Sequence, residues 1–297
     1  MKYSKEPISI SVQIEKLKNR GLLFSDEDKA AHYLSNISYY RLRAYTYPFQ
    51  DNENPAHPFI KPVSFEEIIQ LYLFDRRLRL LIFNATEKIE VAMRTQIIHN
   101  YAMAHGGFWY MNPVLFNNTA YFAEHLASLN KEIDRSGETF IKHYKEKYHE
   151  PTQPPAWMSL EVSSMGLLSK IFGNLKSDSI KNDVALHFGL KDVDLLENWM
   201  RCFSLLRNIC AHHGRVWNRR MTQLSLPRKP IYIFCQTENV LRYKLYAYLS
   251  AILYILNIIS PGHSFKQNLK NLMFCCPLAQ EKEMGFPKIW KDDPLWL

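Results

Sequence analysis

A chain of 297 residues with 47% apolar and 22% charged side chains has the make-up of a globular protein, large enough for one big domain or two modest ones. Its net charge of +8 favours a polyanionic partner, and its ten glycines form neither a Gly-x-Gly-x-x-Gly nor a Gly-x-x-x-x-Gly-Lys-Ser/Thr loop. Without His-Glu-x-x-His, Gly-x-Ser-x-Gly or Cys-x-x-Cys, zinc and serine-hydrolase sites have no support, and no metal or cofactor is expected.

The first residues, Met1-Lys2-Tyr3-Ser4-Lys5-Glu6, lack the apolar core of a secretory signal, and the five cysteines read as reduced and mostly buried. A cytoplasmic protein is therefore expected. Ser9 to Arg20 reads as a helix stopped by Gly21, and Ser25 to Asp28 as a capping box opening a second. A tyrosine-rich stretch, Tyr39 to Pro48, precedes a loop with three prolines between Asp51 and Pro62. Ser64-Phe65-Glu66-Glu67 starts a long helix expected to reach about residue 103, either continuous or with a break. His105-Gly106-Gly107 is a stop, residues 120–148 form a helical pair, and Pro151 to Pro155 is a linker or a corner. Helical periodicity resumes at Trp157–Leu175, 178–189 and 192–213. A small β-hairpin is expected near 222–236, around Ile231-Tyr232-Ile233-Phe234. Leu245–Ile259 is the most hydrophobic run; at about 15 residues it is too short to span a bilayer and reads as a helix buried nearly all round. The division expected is an N-terminal helical region at 1–62 and a larger helical domain at 63–297, together one compact unit.

Chemistry concentrates in Arg207-Asn208-Ile209-Cys210-Ala211-His212-His213-Gly214-Arg215. At about 100° per residue, Met200, Arg201, Ser204, Arg207, Asn208, Ala211, His212 and Arg215 share one arc of a continued helix. Cys202, Phe203, Leu205, Leu206, Ile209, Cys210, Val216 and Trp217 fall opposite, and His213 with them, which makes His212 the better reactive imidazole. An arginine that neutralises a phosphate and an imidazole that moves protons would suit metal-free RNA cleavage. The same residues also fit a solvated face or an internal ion pair, and spacing alone leaves both readings open. Arg94 and His99 repeat the spacing, but Glu90 stands four residues before Arg94 and makes that copy structural.

Further motifs are Arg20-Gly21-Leu22, Tyr39-Tyr40-Arg41-Leu42, Phe74-Asp75-Arg76-Arg77-Leu78-Arg79 and Ile89 to Arg94. They continue through Pro155-Ala156-Trp157-Met158, Ser164 to Ser169, Arg207 to Asn218 and the tail Met284-Gly285-Phe286-Pro287-x-x-Trp290. In these motifs the chain resembles the Abi-like family of bacterial phage-resistance (abortive infection) proteins, within the HEPN superfamily of all-α RNases and RNA-binding domains. Met165 stands where the family more often has Phe, a difference of packing.

The resemblance implies an all-α, HEPN-type helical bundle. It also implies a metal-independent endoribonuclease leaving 2′,3′-cyclic phosphate and 5′-OH ends, acting as a phage-defence or toxin effector. It casts Arg207, Asn208 and His212 as catalytic, with His213 as the second imidazole that fits the Arg-x(4–6)-His pattern. One motif per chain implies a homodimer. RNA contacts are expected from Arg215, Arg219, Arg220, Arg228 and Lys229, for which solvated charge is the competing reading. Tyr39, Tyr40 and Trp217 are candidate stacking faces, Trp217 fitting core packing better. Glu90 and Glu161 could orient the arginine. The partners implied are substrate RNA and an inhibitory antitoxin, which in some relatives is a small non-coding RNA; no membrane is involved. The alternative is a non-catalytic RNA-binding or scaffold component of a defence or toxin–antitoxin system.

Overall fold

The computed structural model describes residues 2, 6–227 and 240–297. Among the described residues there are twelve α-helices and one two-stranded sheet, so the all-α expectation holds. The chain divides into two compact units, Met1–Arg79 with Leu269–Gln280, and Leu80–Asn268 with Glu281–Leu297. By packing, the division falls after Arg79, inside a helix, and a C-terminal stretch belongs to the N-terminal unit.

In the first unit α1 (Ile10–Asn19) starts at the Ser9 cap and ends before Gly21, whose φ of +94° only glycine adopts freely. The next cap is Asp26 rather than Ser25: Asp26 Oδ1 accepts from the Lys29 amide at 2.8 Å and opens α2 (Glu27–Ile37). Ser25 instead donates to Glu66 Oε1 at 2.6 Å. Tyr39–Thr46 forms α3, and Leu22–Leu23 (β1) pairs in parallel with Val63–Ser64 (β2).

Helix α4 (Phe65–His105) runs unbroken from the Ser64 cap, where Ser64 Oγ accepts from the Glu67 amide at 3.2 Å and Glu67 Oε2 from the Ser64 amide at 2.8 Å. Within the first unit its Asp75 is fully buried, taking hydrogen bonds from Tyr45 and Arg79.

The second unit holds the rest of α4 with α5 (Thr119–Asp134), α6 (Thr139–Lys147), α7 (Ala156–Ser159), α8 (Met165–Asn174), α9 (Ser179–His187), α10 (Val193–Ala211) and α11 (Leu245–Ile259). The last helix, α12 (Phe265–Met273), begins here and crosses back to the first unit at Leu269. Pro151–Pro155 lies inside this unit and turns a corner: Tyr144 donates to the Pro151 carbonyl at 2.8 Å and Tyr110 to that of Pro154 at 2.7 Å. Helix α10 is the central element, packed on α8, α9 and α11. Its Leu196, Trp199, Phe203 and Leu206 are fully buried, as are Leu168 and Phe172 of α8. Eleven of the fifteen residues of α11 are buried, as its composition implies. Among the described residues no helix is long and apolar enough to cross a membrane.

Candidate functional site

Helix α10 ends at Ala211, earlier than its periodicity implies. His212 caps it, its amide donating to the Asn208 carbonyl at 2.9 Å. His213 then turns left-handed at φ +58°, and its amide and that of Gly214 bond back to Cys210 and Ile209. Helical angles therefore stop applying after Ala211. His213, expected on the buried side, is exposed beside the exposed His212. Met200 and Ser204, expected on the open strip, are buried, whereas Leu205 is exposed. The open face of α10 is instead Arg201, Leu205, Asn208 and His212, steps of three and four residues.

Arg207 is held at its guanidinium. Its guanidinium lies 5.6 Å from the Phe83 ring centroid, Nε is 3.8 Å from Glu90 Oε2, and Nη1 donates to Asn208 Oδ1 at 3.2 Å. About a third of the side chain stays exposed. Glu90 is nearly buried and also accepts from Arg94 Nη2 at 2.8 Å; Arg94 further donates to the Ser163 carbonyl at 2.8 Å and stands 3.8 Å from Glu161. Glu90 thus touches both arginines, and Glu161 is linked to Arg207 through Arg94 and Glu90. The internal pairing of Arg94 is as its spacing implies, and His99 faces solvent.

Asn208 and His212 line a cleft of about 480 Å³ with Ile209, Gly214, Arg219, Arg220 and Thr222. Arg219 is braced by a 3.4 Å bond from Nη1 to the Arg215 carbonyl, and Arg220 lies 4.3 Å from the Tyr243 ring centroid. Trp217 is buried, as core packing requires, and Arg215 stacks 6.0 Å from its ring. Beneath them Lys244 donates to Asn218 Oδ1 and to the Glu283 carbonyl, both at 2.9 Å. Burial, and after it the Arg215 and Arg220 charges, hold the Lys244 pKa below the usual lysine value, against an opposing pull from Glu283.

The far wall is the segment 221–225, fastened to α10. Trp199 Nε1 donates to the Ser225 carbonyl at 2.9 Å, the Ser225 amide to Asn198 Oδ1 at 2.7 Å, and the Tyr248 hydroxyl to the Thr222 carbonyl at 2.6 Å. The Met221 and Leu224 amides bond to Tyr243 and Arg242. Residues 221–227 form no strand; the rest of the expected hairpin, with Arg228 and Lys229, lies outside the described residues. Burial pushes the Cys202 thiol up, which disfavours a thiolate nucleophile. Among the described residues no three His, Cys, Asp or Glu side chains are grouped to hold a metal ion.

Phe83, Tyr243 and Lys244 escape sequence reasoning because their places depend on folding of distant segments. Tyr39 and Tyr40 belong to the other unit, where Tyr39 accepts from Arg20 at 3.0 Å and Tyr40 is exposed.

A family model described as Abi-like protein matches residues 32–218, more than half of the chain and the whole of α10. The chain belongs to the Abi-like family. Membership points to abortive infection, a form of phage defence. No curated protein and no solved structure matches the chain.

Proposed function

We propose that this Abi-like protein is a metal-independent endoribonuclease of the HEPN type and that RNA cleavage is its defence activity. The observation that carries the reading is one cleft lined by His212, Asn208, Arg219 and Arg220, with Arg207, outside that lining, bonded to Asn208 and anchored by Glu90. A general acid–base group, an amide and fixed cations are what a phosphoryl transfer with no covalent enzyme intermediate requires.

In the reaction, the ribose 2′-oxygen attacks the adjacent phosphorus while one imidazole takes the 2′-proton. The bond from phosphorus to the 5′-oxygen breaks, and a second imidazole protonates the departing oxygen. The products are a 2′,3′-cyclic phosphate and a 5′-OH. His212 supplies one imidazole; a second copy of the chain, with the two clefts facing, supplies the other. Arg207 stays protonated throughout and stabilises charge on the five-coordinate phosphorus. Asn208, bonded to Arg207, orients it. A cytoplasmic toxin of this kind needs an inhibitor in uninfected cells, and a small RNA suits the same basic cleft.

The test compares wild type, His212→Ala and Arg207→Ala on total RNA. Cleavage by wild type, absent in both variants at unchanged melting temperature, supports the reading. The pairing of Arg207 with Glu90 also favours a second reading, in which this arginine is structural and the protein binds RNA or scaffolds a defence assembly. It predicts that Arg207→Ala lowers stability while wild type leaves RNA intact.

A further inference from the structure

The cleft at His212 does not end at Asn208. A second space of about 660 Å³ shares Asn208 and Leu205 with it and continues along α10 toward Arg201 and Asn198, with Gly166, Ser169, Lys170 and Gly173 of α8 opposite. The two spaces adjoin at Leu205 and Asn208 and are described together as one groove. Helix α8 presents glycine where it faces α10: a Cβ on Gly166 would meet Ser204 Oγ at 3.4 Å, and one on Gly173 would meet Glu197 Oε2 at 3.7 Å.

Charge varies along the groove. Arg219 and Arg220 stand at the His212 end, and Lys170 and Arg201 in the middle. Lys170 and Arg201 are exposed and have no ion-pair partner among the described residues. Asp194 and Glu197 close the far end, where Glu197 is engaged by the buried Lys181 at 2.6 Å. A polyanion entering at His212 is thus met twice by cations and then turned away by carboxylates.

Building on the ribonuclease reading, the geometry points to a second phosphate subsite, made by Lys170 and Arg201, that holds single-stranded RNA beyond the scissile bond. Arg201 stands seven residues from Asn208, about 10 Å along the helix axis at 1.5 Å per residue. That is about three steps of a stacked strand at 3.4 Å each. The spaces are of the size that takes individual flexible groups rather than a duplex cylinder. Among the described lining residues the one aromatic is Tyr248, which is buried and bonded to Thr222, so the groove offers bases no stacking platform. The subsite reads backbone, not sequence, and its contribution is salt-dependent.

The test uses His212→Ala protein, to keep RNA intact, and labelled single-stranded RNA of two and of about ten nucleotides. Adding Lys170→Glu and Arg201→Glu together is expected to weaken the longer RNA about tenfold at moderate salt and leave the dinucleotide unchanged. Lys170→Gln with Arg201→Gln should give the same pattern at smaller size, and melting curves certify both folds. Equal loss at both lengths, no loss, or no binding of the longer RNA overturns the subsite. Length-dependent loss with a wild type that never cuts keeps the subsite and removes the ribonuclease. Cutting by wild type, with longer RNA cleaved as well when Lys170→Glu and Arg201→Glu are placed in the chain that keeps His212, does the opposite.

Discussion

At Glu90 one nearly buried carboxylate serves two arginines, 2.8 Å from Arg94 and 3.8 Å from Arg207. Removing one member of a buried pair leaves uncompensated charge, so Glu90→Gln should cost about 3 kcal/mol in urea unfolding. Glu161 is half-exposed and 3.8 Å from Arg94, so Glu161→Gln should shift stability by less than about 1 kcal/mol. Equal costs for the two would contradict the central place given to Glu90. His212 is exposed at a helix end, and His212→Ala should change stability by about 0.5 kcal/mol or less while abolishing cleavage. The Arg94–Glu90 pair was readable from a four-residue spacing because both ends sit on one helix. The exposure of His213 was not, because it depends on where α10 stops, and that is decided by the turn at φ +58°.

Among the elements, α4 and α11 were legible from local signals: a reciprocal Ser64–Glu67 cap in one, a continuous apolar run in the other. Helix α10 was legible at its start and misread at its end, since the apolar Val216 and Trp217 continue the helical pattern although the chain has already turned. The C-terminal stretch Met284–Trp290 acquires its role only in three dimensions. Gly285 has φ +82°, and a Cβ there would lie 2.5 Å from Cβ of Lys244, the residue that braces the loop carrying Asn218. Gly285→Ala should therefore cost about 1–3 kcal/mol in unfolding. Because Lys244 would move, it should also weaken RNA binding; a stable variant with wild-type affinity would contradict this link. No sequence pattern joins residues 244 and 285, which are brought together by folding alone.

For the whole molecule, burial sets the alkaline limit of the fold. Tyr110 donates to the Pro154 carbonyl, and burial raises its pKa from 10.0 to about 12. Burial likewise raises Tyr45, Tyr101, Tyr246 and Tyr248. A folded pKa above the unfolded one means stability that is complete below about pH 10 and is lost as pH rises toward the folded value. The melting temperature should fall steadily above pH 10, and Tyr110→Phe should make that fall shallower between pH 10 and 12. An unchanged slope would contradict the assignment of Tyr110. The all-α class was legible from composition and periodicity, whereas the division inside α4 was not, because an unbroken helix carries no local mark of where two cores part.

Metal-independent RNA cleavage at His212 is tested by end-group analysis of total RNA incubated with purified protein in EDTA. Wild type is expected to leave 2′,3′-cyclic phosphate and 5′-OH ends, and folded His212→Ala and Arg207→Ala to leave the RNA intact. RNA left intact by wild type purified free of nucleic acid, or ends of any other chemistry, would contradict it.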